Sequence, residues 1–141
     1  LRVAVRRAKL GSTFVKLGLV PGDGGAYFLA RTIGLPRALD LVLSGRIVRG
    51  DEALSLGLVH ELVDDGDALA EAVRERAAVL AANAPLAVQL AKRAAYAAWD
   101  QPLHAALDLA ATYQGIAQNT ADHDAGVAAI LAGEDPGFEG R

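Results

Sequence analysis

The stretch that decides the fold is "FVKLGLVPGDGGAYFLARTIG", Phe14–Gly34. An apolar run breaks at its centre into Pro21-Gly22-Asp23-Gly24-Gly25 and then resumes at once. A solvent loop would be more polar. A core helix would avoid the glycines, each of which costs about 1 kcal/mol relative to alanine. Glycine lets the backbone take positive φ and lets another backbone or a ligand come close. Glycines ahead of a helix also leave its first N–H groups free to face an anion or a polar group. Two readings fit: a substrate-facing turn onto a helix start, or a tight connection with Asp23 as a simple N-cap. No Lys-Ser/Thr pair follows, so this is no P-loop, and the glycine spacing is wrong for a dinucleotide fingerprint.

Asp23 is the only acid between Leu1 and Leu39. A lone carboxylate in apolar surroundings is costly unless it is capped, paired or functional. Partial burial would raise its pKa towards the range useful for proton transfer. Asp23 is therefore the candidate catalytic residue.

Working outward, "LRVAVRR" alternates like a strand and "KLGSTFV" suggests a second short extended piece. "GAYFLARTIG" and "LPRALDLVLSG" predict two helices, stopped by Gly34 and Gly45, with Pro36 in the first turn of the second. Asp51 is placed to cap a short helix over "EALSLG", and "LVHELV" alternates as a strand. From Asp67 onward the chain reads as four helices. Leu69, Val73, Ala77 and Leu80 form the expected inner face of the first, and Leu86, Leu90 and Tyr96 that of the second. Trp99 is expected to pack inward at the second helix's end.

The 141 residues suffice for a domain with a core, and 52% hydrophobic composition excludes a disordered chain. No apolar run approaches the ~20 residues of a membrane span. Cysteine is absent, which excludes disulfides and thiolate metal sites. A net charge of −3 with a pI near 5.5 gives no footprint for nucleic acid. These features fit a cytoplasmic protein. Methionine is also absent, so the chain is read as a piece of a longer protein or as a gene product whose start was lost.

Other candidates are weaker. Asp122-His123-Asp124 reads as a solvated helix start, since no second histidine stands at ligand spacing. No metal site is expected. There is no Gly-x-Ser-x-Gly nucleophile motif. Lys92, Arg93 and Arg141 read as solvated cations that could meet phosphates. Phe138, alone in a polar tail, is expected to dock back on the fold or to reach a neighbouring subunit.

The series "LGLVPGDGG", "LARTIG", "LVLSGRIV", "DEALSLGLVHELV" and "AANAPLAVQLAKRA" resembles the enoyl-CoA hydratase/isomerase (crotonase) superfamily, in order and spacing, along nearly the whole chain. The resemblance implies an α/β, crotonase-like fold: the C-terminal part of a ββα spiral over residues 1–66, then a helical oligomerisation and CoA-covering layer over 67–141. It implies proton transfer next to a coenzyme A thioester through a stabilised enolate, in fatty-acid or related acyl-CoA metabolism. Acyl-CoA is then substrate, with no metal or redox cofactor. The family's two oxyanion donors and its first glutamate belong to the half that precedes this segment. Its second glutamate corresponds to Phe14, whose ring cannot exchange protons, so two-glutamate hydration is in doubt. Asp23 lies one place later than the family's loop aspartate. By resemblance, Phe14, Leu19, Pro21, Gly22, Gly24, Gly25 and Phe138 contribute to substrate binding. The expected assembly is a homo-oligomer, a trimer or a dimer of trimers. The competing expectation is an inactive fragment that serves as a helical interaction module. Such a half-fold would expose apolar surface and associate.

Overall fold

The computed structural model describes all 141 residues, Leu1–Arg141. The chain divides into two compact units, Leu1–Arg74 and Glu75–Arg141.

In the first unit the alternating opening forms β1 (Val3–Val5), which runs parallel to β4 (Glu61–Val63) in the register Val3 to Glu61 and Val5 to Val63. Arg2 extends this pairing. Its amide donates to His60 Nδ1 at 3.0 Å, and its guanidinium donates to the Leu58 and Gly57 carbonyls at 2.5 and 3.1 Å. The second extended piece is shorter than expected. β2 covers only Leu10–Gly11, antiparallel to β3 (Ile47–Val48), and Phe14–Leu17 winds into a 3-10 turn. Close approach is the reason for Gly11: a Cβ there would stand 2.6 Å from the Arg46 carbonyl oxygen.

α1 (Gly25–Ile33) and α2 (Leu35–Ser44) follow, and Gly34 and Gly45 end them as expected. α3 (Gly50–Ser55) starts from Arg49, with no side-chain cap. Asp51 therefore does not cap it. Its carboxylate instead accepts from Arg6 Nη1 at 2.8 Å, a contact that raises the Arg6 pKa. Arg46 ties α2 to α3 by donating to Asp40 at 2.6 Å and to Glu52 at 2.5 Å. These hydrogen bonds, Asp40's first, raise its pKa further above the usual arginine value. The core of this unit joins Ile33, Ala38, Leu41, Val48, Ala53, Leu58 and Val59. Leu41 is wholly buried.

α4 (Gly66–Ala81) carries the unit boundary. Its buried residue is Ala72, whereas Val73 and Leu80 are exposed. The second unit continues with α5 (Pro85–Ala98), α6 (Leu103–Gln118) and α7 (Ala121–Ala132). Leu90 is buried on α5 as its spacing predicts, while Tyr96 and Trp99 are exposed, contrary to expectation. Helical period sorts residues into faces. It does not say which face meets another element. The mixed α/β architecture is the expected crotonase-like one. No helix is long and apolar enough to cross a membrane.

Candidate functional site

The glycine loop joins the 3-10 turn to α1. The turn closes when the Leu19 amide donates to the Phe14 carbonyl at 3.1 Å. Phe14 is half-buried there, and Leu17, Leu19 and Val20 are left exposed, Val20 at 79%. Pro21 sets the next turn. Gly24 then takes φ 83°, a left-handed conformation that costs other residues about 1–2 kcal/mol, and serves as N-cap of α1.

Asp23 stands one position before that cap. Its Oδ1 accepts from the Gly25 N–H at 2.8 Å, so the aspartate closes the turn and takes up the N–H of the first residue of α1. Its side chain is exposed in this chain, so the partial burial expected of it is not present here. The loop thus presents one carboxylate, with one oxygen held by backbone, beside exposed aliphatic side chains.

The first turns of α1 add an aromatic group that the sequence reading missed. Tyr27 and Phe28 meet edge to face with centroids 5.4 Å apart, and the Arg31 guanidinium lies 3.6 Å over the Tyr27 ring. The Tyr27–Arg31 spacing of one helical turn was the available signal. Phe28 is 63% exposed, and its ring edge stands 3.1 Å from where a Gly24 Cβ would be. Just after β2, Ser12 Oγ is buried without a hydrogen-bond partner.

Phe14, Leu19, Pro21, Gly22, Asp23, Gly24 and Gly25 therefore lie together on one short segment. Phe138 belongs to the second unit, where it docks back: its ring packs over Gly126 on α7. Asp122, expected to be solvated, is buried there and binds the backbone of Glu139 and Gly140. Thr120 caps α7 by accepting from the His123 N–H at 3.1 Å. No group of three or more His, Asp or Glu side chains converges as a metal site.

A chain with this α/β framework and a glycine turn of this design can be compared as a whole with known proteins. Residues 1–141 match the sequence profile of the family described as enoyl-CoA hydratase/isomerase, and the chain belongs to that family. It is 37% identical over 139 residues to 1,2-epoxyphenylacetyl-CoA isomerase of Escherichia coli K12, an alignment of 99% of this chain and 53% of that protein. It is 34% identical over 127 residues to a short-chain-enoyl-CoA hydratase of Clostridioides difficile, covering 90% of this chain and 81% of the relative. The crystal structure of enoyl-CoA hydratase from Bacillus anthracis superposes on the whole chain with a TM-score of 0.95 at 34% identity, over 54% of its own length. The chain spans about half the length of the Escherichia coli and Bacillus anthracis relatives.

Proposed function

We propose that the chain forms the back half of an acyl-CoA enzyme of the enoyl-CoA hydratase/isomerase type. It acts in fatty-acid or related acyl-CoA metabolism in the cytoplasm. The reaction is proton transfer next to a CoA thioester carbonyl, through an enolate-like state held by oxyanion donors from outside this segment. No metal or redox cofactor takes part. The observation that carries the reading is the Phe14–Gly25 turn, which sets a single carboxylate beside exposed apolar side chains at the start of α1.

In this reading Asp23 handles the proton, with the Gly25 N–H fixing one oxygen so that the other faces the substrate. Phe14, Leu19 and Pro21 supply an apolar wall, and Gly22, Gly24 and Gly25 keep backbone close to the thioester end. Phe14 holds no exchangeable proton, which favours isomerisation or a related lyase step over two-glutamate hydration. A homo-oligomer, a trimer or a dimer of trimers, completes the enzyme.

The test is turnover of short-chain 3-enoyl-CoA and 2-enoyl-CoA by the whole gene product, with Asp23→Asn beside it. The expected outcome is a kcat loss of about 100-fold or more, the usual share of a general acid–base group, with KM little changed. Unchanged turnover removes Asp23 from the mechanism. Failure to bind or convert any acyl-CoA removes the enzyme reading. Phe14 would then favour the second one, an inactive helical interaction module.

A further inference from the structure

Residues 134–141 form neither helix nor strand, and most of them are exposed. Phe138–Arg141 is nevertheless held against the second unit, chiefly through one side chain. Asp122, in the first turn of α7, is only 3% exposed. Its Oδ1 accepts from the Glu139 N–H at 2.7 Å, and its Oδ2 accepts from the Gly140 N–H at 2.9 Å. Its own N–H donates to the Arg141 carbonyl at 3.1 Å.

Two glycines lie where the segment packs. A Cβ on Gly126 would stand 3.4 Å from the Phe138 ring, and one on Gly140 would stand 3.6 Å from Pro85 at the start of α5. Phe138 thereby becomes one wall of an apolar groove of about 320 Å³, beside Leu86, Val127 and Ile130.

A buried carboxylate is costly unless its lone pairs are taken. Here backbone N–H groups of the segment take them, and the first turn of a helix favours the negative charge. The segment has little else to hold it. Regions with few buried contacts open locally at lower free energy than the elements beneath them.

We propose that Asp122 latches residues 138–141 as a strap that opens as a unit of its own, and that opening withdraws Phe138 from the groove wall. The helices stay folded while the strap is open, so access to Leu86, Val127 and Ile130 is set by one carboxylate.

Amide hydrogen exchange on the protein tests this. The Glu139 and Gly140 amides exchange ahead of the Leu90 amide within α5. Asp122→Asn speeds them on the order of ten- to a hundred-fold, the weight of hydrogen bonds to a charged group. Leu90 changes by less than about threefold. Chymotryptic cleavage after Phe138 accelerates in parallel. Gly140→Ala keeps the carboxylate but strains the strap's own backbone, where Gly140 sits at φ 80°, so it speeds cleavage at Phe138 even if Asp122→Asn fails to fold. The proposal is overturned if Glu139 and Gly140 do not respond to Asp122→Asn, if Leu90 exchanges in step with them, or if Gly140→Ala leaves cleavage at Phe138 unchanged.

Discussion

The three glycines of the Pro21–Gly25 turn are not equivalent, and alanine substituted at each in turn separates their roles. Gly22 has room: its nearest neighbour is the Val20 carbonyl oxygen, 4.0 Å from a Cβ, and its φ is not left-handed. Alanine there restricts the unfolded chain without native strain and stabilises by about 0.4–1 kcal/mol. Gly24 sits at φ 83°, so alanine costs about 1–2 kcal/mol in backbone strain. The 3.1 Å contact with Phe28 adds little, because that ring is exposed and can turn aside. The gap between Gly22→Ala and Gly24→Ala is then roughly 1.5–3 kcal/mol, or about 5–10 °C in Tm for a chain of this size. Gly25 is intermediate. Its Cβ would come 2.9 Å from Asp23 Oδ1, so the aspartate must release its 2.8 Å hydrogen bond. Loss of such a bond costs about 1 kcal/mol, and the helix preference of alanine over glycine returns about the same. Urea denaturation of the three variants gives the order Gly22→Ala, then Gly25→Ala, then Gly24→Ala. If Gly24→Ala matched Gly22→Ala, the left-handed turn would not be a constraint, and the physical account of the motif would fail.

Other expectations concern the framework. Leu41→Ala empties a wholly buried position in the core of the first unit, and should cost about 3–5 kcal/mol by denaturant melt. Arg37→Ala, exposed on the same helix, should stay within about 0.5 kcal/mol and serves as the control. Ser12→Ala removes a buried hydroxyl with no partner and should be neutral or stabilising by about 1 kcal/mol. A loss larger than that would show the hydroxyl to be paired in solution. In sedimentation velocity the chain should associate, because Leu17, Val20, Ile130 and Leu131 are among many large apolar side chains left exposed. A monodisperse monomer would count against an unfilled interface.

Much of the framework was legible because its signals are local. Alternation marked β1 and β4, and Gly34, Gly45 and Gly133 marked helix ends by their freedom at positive φ. The misreadings share a cause. Asp51 was read as a cap, yet Arg6, far away in sequence, holds its carboxylate. Asp122 looked solvated in "ADHDAG", and only the return of residues 139–140 buries it. Val73, Leu80, Tyr96 and Trp99 carry the apolar character of inner residues and are exposed. For the site, the sequence marked the loop and its one acid. It did not show that Asp23 spends one oxygen on the Gly25 amide, or that Phe28 lies beside Gly24.

By itself the sequence determined the place of the glycine turn and of the short strands and helices, because period and turn chemistry act over a few residues; the class of fold and the family were implied by the resemblance of its motif series to the enoyl-CoA hydratase/isomerase superfamily. The tertiary structure alone decided the partners: Arg2 with His60, Arg46 between Asp40 and Glu52, Asp122 with the strap that carries Phe138. Burial and pairing depend on which distant segments meet, and no local pattern records that.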